Sequence, residues 1–448
     1  MSCIDLLRGY ASHDLLPREE IISATSQLLA PVDRDFDDNE EDKHPLVYGT
    51  DQGSLWVRKC ICNFQNETFN LDHRSRMVTK PEFLNLTTGA SYGFMNILLQ
   101  TTLPHTNYTR QAFIVTPTYF LINDAFLDAG FTGKLTAIEE LDDGLDIAFL
   151  ENRLQFFDST ASDYDDSDSL HLINAKNGRK KIYRYVLYLV PTFSNPGGVV
   201  YSKDCRMKLL ALARTYDMLI ISDDVYDLLS FDGSDTTPPE LRFPHLDRET
   251  LPNGNTYGNT VSNCTFSKIV APGLRTGYQE TANENLAGQL SRGGANISGG
   301  TPSQLNSMIV GTMISNGSIK QIIQRMVCTL RTRSQILKKS VSLYLPRGSI
   351  CREIRGGYFT WCTLPEPYDA SEICKEAKDR GLLLGDGSLF EVFGDEKGWG
   401  KSSVRLCISF ANAEEIEKAI KIWGTSCQWY IEHWAEIQSK GDHLGIAP

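Results

Sequence analysis

Four short apolar segments limit the possible folds of this chain more than any other feature. Such continuous apolar runs are typical of strands buried on both faces of a mostly parallel sheet. Each is rich in β-branched or aromatic residues and leads into polar ones: AFIVTPTYF (112–120), YVLYLVPTF (185–193), MLIISDDVY (218–226) and NCTFSK (263–268). The segment 202–217 has helical spacing and Ser202 is placed to cap it. We therefore predict an α/β fold whose ligands gather beyond the carboxyl ends of the strands.

The last third of the chain has a different pattern. After about residue 319 a long helical segment leads to GGYFTWCTL, a helix near 369–380, the strand VRLCISF and a final helix. This order of elements predicts a smaller α+β domain. We expect a large domain over residues 46–318 and a small domain over residues 319–448.

Charge and cysteine usage exclude several classes of protein. The net charge of −12 argues against a general nucleic-acid or anionic-membrane binder. None of the 11 cysteines belongs to a CxxC motif, so we expect reduced thiols, no metal site and a cytoplasmic enzyme. The N-terminus lacks the features of a secretory signal, and no segment approaches about 20 consecutive apolar residues.

Three polar segments are predicted to be surface loops: 33–45, 158–169 and 232–259. The acidic runs within them are also compatible with a partner-binding surface, although a solvated loop is the favoured interpretation.

Lys268 lies in the segment TFSKIVAPGLRTGY, between Thr265 and Ser267 on one side and Arg275 on the other. A lysine forms a Schiff base with an aldehyde only when it is deprotonated, so burial or nearby positive charge has to lower its pKa. The two hydroxyls and the guanidinium are suited to a phosphate dianion. Taken alone, the segment is equally compatible with a structural lysine beside a turn.

Further polar residues follow the predicted strands. Asp223 ends a strand and is followed by Tyr226, while Asp224 is expected to face the opposite side. A buried carboxylate beside a pyridine nitrogen keeps that nitrogen protonated, so that the ring can accept electrons. Asn195 precedes a Pro-Gly turn, where its amide could donate to a phenolate, although Asn-Pro-Gly is also a common turn sequence.

Two more segments carry candidate ligand-binding residues. Gly89, Ala90 and Ser91 precede a predicted helix, whose N–H groups and dipole would attract an anion unless they form an ordinary cap. Tyr119 follows a strand and could stack on a flat cofactor or belong to the core. Arg405 lies in an apolar strand, where it is either a clamp for a substrate carboxylate or part of a structural ion pair.

In chain order, these segments resemble the fold type I PLP-dependent transferases, specifically the class I/II aminotransferases. The resemblance is greatest to the branch of aromatic, 2-aminoadipate and kynurenine aminotransferases. It implies a large domain with a mostly parallel central sheet flanked by helices, plus a smaller α+β domain. The implied roles are Lys268 as Schiff-base lysine, Asp223 beside the ring nitrogen, Tyr226 and Asn195 at the phenolate, Tyr119 on the ring, Gly89, Ala90, Ser91, Thr265, Ser267 and Arg275 at the phosphate, and Arg405 with Asn195 at the substrate carboxylate.

The resemblance also implies a homodimer with shared active sites, because Tyr48 is similar to a tyrosine that reaches the neighbouring subunit's phosphate site. Residues 1–45 resemble the segment that covers the substrate as part of the small domain, with Gly9 near the carboxylate. Two positions depart from the family pattern: Gly197 stands where threonine is usual, and Asp224 where glutamate is commoner.

The function implied by the resemblance is ping-pong transamination. An aromatic amino acid or 2-aminoadipate is the favoured donor and 2-oxoglutarate the expected acceptor. A PLP-dependent lyase on the same scaffold, acting by β-elimination or an ACC-synthase-like reaction, is the alternative. A non-catalytic ligand sensor is disfavoured, because the residues before the large domain are too few for a DNA-binding domain of typical size.

Overall fold

The computed structural model describes residues 3–30, 36, 40–73, 75–106, 108–160, 170–171, 179–232 and 237–442. The strands within these residues are β1 Ile4–Asp5, β2 Leu84–Thr87, β3 Gln111–Thr116, β4 Leu135–Leu141, β5 Gly144–Leu145, β6 Leu170–His171, β7 Lys180–Lys181, β8 Tyr185–Leu189, β9 Met218–Asp224, β10 Thr260–Thr265, β11 Gly277–Thr281, β12 Ile350–Cys351, β13 Phe359–Thr363, β14 Leu382–Leu383, β15 Gly385–Asp386 and β16 Ser403–Cys407.

The α-helices of the described residues surround these strands. They are α1 Arg18–Leu29, α2 Leu55–Thr68, α3 Ala90–Thr101, α4 Ile122–Asp128, α5 Ile147–Ser159, α6 Lys203–Thr215, α7 Phe243–Thr250, α8 Glu284–Ser291, α9 Gly294–Ile297, α10 Gln304–Ser315, α11 Ser318–Tyr344, α12 Ala370–Asp379, α13 Ala413–Glu432 and α14 Trp434–Asp442.

An eight-stranded sheet forms the centre of the fold, in the order β2-β11-β10-β9-β8-β3-β4-β5. The five strands from β10 to β4 are parallel, and the remaining strands β11, β2 and β5 pair antiparallel to their neighbours. Every residue of β3, β8, β9 and β10 is buried, because helices cover both faces of the sheet. The predicted α/β fold is confirmed.

Local sequence explains the crossover between the parallel strands β8 and β9. The Ser202 side chain accepts a hydrogen bond from the Cys205 backbone N–H and so caps the first turn of α6, as predicted. The predicted strand 263–268 is displaced by three residues, since β10 runs from Thr260 to Thr265 and Lys268 lies in the turn beyond it.

A second, four-stranded antiparallel sheet has the order β12-β13-β16-β15. Helix α11 packs against α13, and α12 packs against α13 and β14. The chain start joins this part of the molecule, because β1 pairs in parallel with β14, with Ile4 opposite Leu382. The boundaries at residues 45/46 and 318/319 remain proposals.

The expectation that all the thiols are reduced is wrong for one pair. Cys351 and Cys362 form a disulfide. The two residues lie directly opposite each other in the β12–β13 register, with Cα atoms 4.0 Å apart. Strand register therefore created a proximity that a search for local cysteine motifs does not detect.

The prediction of a surface loop over 232–259 is also wrong in part, because this segment contains the buried helix α7. Arg242 donates to Asp227 Oδ2 at 2.7 Å, and Arg248 donates to Glu280 Oε1 at 2.7 Å. All four side chains are buried. Arg242 and Arg248, which lie within this predicted loop, are instead paired inside the protein.

Parts of the other two predicted loops lie outside the described residues, namely 33–35, 37–39 and 161–169. Within the described part, Asp42 is buried and accepts hydrogen bonds from the Ser54 hydroxyl and the Trp56 N–H. Residues 158–160 lie at the end of α5. No helix of the described residues is long and apolar enough to cross a membrane.

Candidate active site

A cavity of about 400 Å³ lies beyond the carboxyl ends of the parallel strands. It is lined from the large sheet by residues that follow β3, β8, β9 and β10, and from the second sheet by residues of β13 and β16. Most of the predicted site residues line it, namely Gly9, Ala90, Ser91, Tyr119, Asn195, Asp223, Tyr226, Thr265, Ser267, Lys268, Arg275 and Arg405. The fold thus brings together residues as far apart in the chain as Leu7 and Arg405.

The Lys268 amine lies in the interior of this cavity. It donates a hydrogen bond to the Gly9 carbonyl at 2.6 Å and lies 6.0 Å from the centre of the Tyr226 ring. Burial, together with the positive charges of Arg405 and Arg275, lowers the pKa of Lys268 to about 8. The amine is therefore close to the neutral state that nucleophilic attack on a carbonyl requires.

Asp223 lies at the end of β9 and is 9% exposed. Its two carboxylate oxygens accept hydrogen bonds from the Tyr188 hydroxyl at 3.1 Å and the Asn263 amide at 2.9 Å. Burial raises the pKa of Asp223 to about 6. Its neighbour Asp224 points to the other side of the strand, as predicted, and accepts hydrogen bonds from Ser222 and Ser262.

Arg405, on β16, is buried against the aromatic rings of Phe359 and Phe390, with its guanidinium carbon 4.2 and 4.6 Å from their centres. One nitrogen donates to Asn195 Oδ1 at 2.9 Å and another to the Leu7 carbonyl at 2.5 Å. Its Nε is buried without a hydrogen-bond partner among the described residues. Since Arg405 pairs with no carboxylate there, it can still bind an anion.

A ring of hydroxyls and N–H groups forms the other end of the cavity. Thr265 donates to Ser267 Oγ at 2.9 Å, and Arg275 Nη1 donates to the same oxygen at 3.4 Å. Gly89 caps α3 with a φ of 94°, and a Cβ there would lie 2.6 Å from Arg275 Nη2. A glycine is therefore required where the guanidinium approaches the start of the helix.

The two predicted tyrosines that line the cavity differ in exposure. Tyr226 is 2% exposed and packs edge-on against Phe359. Tyr119 is partly buried, and burial raises its pKa. Both side chains are thus available to a ligand as neutral hydroxyls and aromatic surfaces.

A family model described as aminotransferase class I and II matches residues 29–422. This chain belongs to the class I and II aminotransferases. Members of this family depend on PLP, so the protein is a PLP-dependent transaminase.

Two relatives and one solved structure illustrate how similar this aminotransferase is to known proteins. Uncharacterized protein YER152C of Saccharomyces cerevisiae is 50% identical over 95% of this chain and 97% of its own. Aromatic-amino-acid aminotransferase 1 of Thermococcus litoralis is 24% identical over 93% of this chain and 86% of its own. The crystal structure of α-aminoadipate aminotransferase from Thermus thermophilus, complexed with N-(5′-phosphopyridoxyl)-L-leucine, shares the fold: its TM-score is 0.72 at 19% identity, covering 96% and 93% of the two chains.

The residues of the aminotransferase cavity fit PLP in size and in donor chemistry. Hydroxyls, a guanidinium and a helix N-terminus form the end that suits a phosphate dianion. Asp223 provides a buried carboxylate for a ring nitrogen, and Lys268 provides the amine for an aldehyde.

Two predicted residues of the aminotransferase do not line this cavity. Gly89 lies just behind it, at the cap of α3. Tyr48 is 82% exposed and lies against Gly299. In this single chain Tyr48 therefore faces solvent, and a role at a shared site stays a prediction.

Sequence reasoning missed several residues that shape the site. Asn263 bridges Asp223 and the Ala90 carbonyl, which ties the acid to the start of α3. Arg8 and Tyr10 line the cavity from an N-terminal strap, defined here as residues 7–10. The resemblance places Gly9 of this strap near the substrate but gives no role to Arg8 or Tyr10, which reach the cavity because β1 pairs with β14.

Proposed function

We propose that this aminotransferase moves the amino group of an α-amino acid to a 2-oxo acid such as 2-oxoglutarate, with aromatic amino acids or 2-aminoadipate as favoured donors. The observation that carries the proposal is that Lys268, Asp223 and Arg405 line one cavity. Lys268 has a lowered pKa, Asp223 is a buried carboxylate, and Arg405 pairs with no carboxylate among the described residues.

When bound, PLP supplies an aldehyde that condenses with amino groups and a ring that takes up the electron pair released at the substrate Cα. In our proposal the Asp223 carboxylate binds the ring nitrogen, Tyr119 covers the ring, and Tyr226 and Asn195 donate to its phenolate oxygen. Asn195 Oδ1 already accepts from Arg405, which leaves the amide N–H₂ to donate. The phosphate group is held by Gly89, Ala90, Ser91, Thr265, Ser267 and Arg275.

Lys268 is proposed to move the proton. Because its pKa is lowered to about 8, a useful fraction of the amine is neutral near pH 7.5 and can accept the proton from the substrate Cα. Once protonated, the same amine would serve as the general acid of the site. Tyr358 donates to the Lys268 carbonyl at 2.6 Å and so fixes the backbone from which the amine acts.

Arg405 is proposed to bind the substrate α-carboxylate with its paired N–H groups. The rings of Phe359 and Phe390 hold the guanidinium in place, and the Leu7 carbonyl orients one of its nitrogens. Fixing the carboxylate and the amino nitrogen together sets the direction of the Cα–H bond.

The donor preference is supported by the cavity wall near the strap. Tyr10, Phe120 and Phe359 offer aromatic surface to a substrate side chain. Arg8 lines the same cavity and uses its Nε for Asp5 and its Nη1 for the Tyr10 hydroxyl. The remaining N–H groups of Arg8 suit a second carboxylate, as in 2-aminoadipate or 2-oxoglutarate.

The Thermococcus relative is named an aromatic-amino-acid aminotransferase, and the Thermus structure is an α-aminoadipate aminotransferase; both names agree with this preference. A homodimer is proposed because exposed Tyr48 adjoins the exposed side chains of Leu46 and Val47. A cytoplasmic location also remains a prediction.

The deciding experiment supplies a panel of amino donors with 2-oxoglutarate to the purified, PLP-loaded enzyme and measures glutamate and ammonia separately. We expect glutamate to form, fastest with aromatic amino acids or 2-aminoadipate. Ammonia without glutamate would indicate β-elimination, and consumption of the donor with neither product would indicate an ACC-synthase-like reaction; either result would contradict the proposal. Arg405→Lys serves as the matched variant, and we expect it to raise the KM of every donor about 100-fold, because the bidentate grip is lost.

A further inference from the structure

A buried carboxylate outside the proposed chemistry supports the turn that carries Asn195. Glu140 lies near the end of β4 and is 6% exposed. It accepts a hydrogen bond from Arg352 Nη1 at 3.3 Å. Burial raises the pKa of Glu140 to about 7, against the opposing effect of the Ser194 hydroxyl. The carboxylate therefore lies beside the turn that carries the amide of the cavity.

The same carboxylate fills the space beside Gly197. A Cβ added at Gly197 would lie 1.7 Å from Glu140 Oε2 and 2.9 Å from Ser194 Oγ. Gly198 has a φ of 72°, whereas the φ of Gly197 is not positive. The approach of Glu140, rather than the backbone conformation, thus requires glycine at position 197. This explains why the chain lacks the threonine that is usual there.

Hydrogen bonds within the turn that contains Asn195 hold its two ends together. Ser194 and Val199 exchange two hydrogen bonds, from Val199 N–H to Ser194 Oγ and from Ser194 N–H to the Val199 carbonyl, both at 3.0 Å. The Gly198 N–H donates to the Ser194 carbonyl at 2.8 Å. A displacement of Ser194 would therefore move the whole turn, including Asn195.

We propose that Glu140 is a positioning residue, which sets the location of the Asn195 amide through Ser194 and through the space it occupies beside Gly197. Asn195 in turn holds Arg405 at 2.9 Å. The inference rests on the proposed role of Asn195 at the cofactor and at the substrate carboxylate. Glu140 itself touches neither group.

Steric exchange tests this directly in the PLP-loaded enzyme. Gly197→Thr forces Glu140 and Ser194 apart, so we expect the KM of the amino donor to rise about tenfold and the apparent pKa of the cofactor absorbance to shift. Adding Glu140→Ala to Gly197→Thr opens the space for the threonine. The KM of the amino donor should then return to within about twofold of wild type, and the apparent pKa of the cofactor absorbance should return to its wild-type value. A double variant no better than Gly197→Thr, or a harmless Gly197→Thr, overturns the proposal.

Single substitutions keep the test valid if Gly197→Thr does not fold. Glu140→Ala should raise the donor KM and shift the cofactor titration, whereas Glu140→Gln, which keeps the shape and the hydrogen bonds, should behave like wild type. Asp142→Asn is the matched control, because Asp142 approaches the same Arg352 at 3.5 Å but its side chain is fully exposed. If Glu140→Ala lowers only the melting temperature and leaves the KM and the cofactor titration unchanged, Glu140 has a structural role alone and the proposal is wrong.

The variant Asn195→Ala distinguishes a failure of the proposed role of Asn195 from a failure of the inference about Glu140. If it changes neither the KM nor the titration, the proposed role of Asn195 is wrong. If it changes both while Glu140→Ala changes neither, only the inference about Glu140 fails.

Discussion

The buried carboxylates of Glu280 and Asp223 have pKa values that are shifted in opposite directions. In the cluster beside α7, Arg242, Arg248, Asp227 and Glu280 pair with opposite charges at 2.7–3.7 Å. Burial alone would raise the pKa of Glu280, but its basic neighbours hold it well below the ordinary value. In the cavity, Lys268 and Asp223 are shifted toward their neutral forms.

The difference shows which buried charges serve the fold and which serve chemistry. Glu280, which has several basic side chains around it, keeps its ionised form and stabilises one conformation, whereas burial still raises the pKa of Asp227, which contacts Arg242. An ionisable side chain that faces an open cavity without such a partner remains able to bind a ligand or to transfer a proton. The following predictions test that contrast, from the largest expected effect to the smallest.

Replacing the central amine should have the largest effect. We expect Lys268→Ala to reduce turnover by about 1,000-fold or more, since it removes the amine proposed to accept the Cα proton. Steady-state kinetics with the best amino donor checks this. Lys320→Ala is the control, because that exposed lysine pairs only with exposed Glu67 among the described residues. Near-normal turnover in Lys268→Ala would contradict the assignment.

Removing a paired charge should affect stability instead of chemistry. Glu280→Ala leaves Arg248 and Arg242 buried without this partner and should lower the free energy of unfolding by about 3–5 kcal/mol. Urea denaturation measures this loss. Turnover per folded molecule should stay close to wild type. A stable Glu280→Ala variant with impaired turnover would break the proposed contrast.

Replacing Asp223 in the cavity should impair turnover and leave stability nearly unchanged. Asp223→Asn removes the negative charge proposed for the ring nitrogen while keeping its size, so we expect turnover to fall about 100-fold. The melting temperature of the apoenzyme should change little, because Asn can still bond to Tyr188 and Asn263. Asp223→Glu should retain more activity than Asp223→Asn; the opposite ranking would argue against a role for the charge.

The pH dependence of cofactor capture should show the smallest change. Because the pKa of Lys268 is lowered to about 8, its amine gains a proton as the pH falls through that value. The rate at which apoenzyme captures PLP should therefore fall about tenfold per pH unit below about pH 8 and level off above it. Stopped-flow absorbance measures this rate. A rate that still rises steadily above pH 9 would show an unperturbed lysine.

Sequence reasoning succeeded where the signal is local. The alternation of side chains along β9 placed Asp223 and Asp224 on opposite sides, and both contact different partners in the structure. The cap at Ser202 was equally readable, because its hydrogen bond reaches only to Cys205. The apolar runs predicted the central sheet, since burial on both faces leaves a continuous apolar pattern.

Sequence reasoning failed where a residue's interaction partner lies far away along the chain. The segment around α7 was predicted as a loop because it is rich in Pro, Gly, Asn and Asp. The partners that bury its arginines, Asp227 and Glu280, are connected to it by no local pattern. The contact between Lys268 and the Gly9 carbonyl spans 259 positions. Glu140 gave no signal either, although the unusual glycine at position 197 marked the place where it fits.

The most direct test of the central claim is to locate the cofactor on the chain. The PLP-loaded enzyme is reduced with borohydride, digested and examined by peptide mass spectrometry. We predict a phosphopyridoxyl group on the peptide that contains Lys268 and on no other lysine. Attachment at a different lysine, or a protein that binds PLP without any covalent label, would contradict the account.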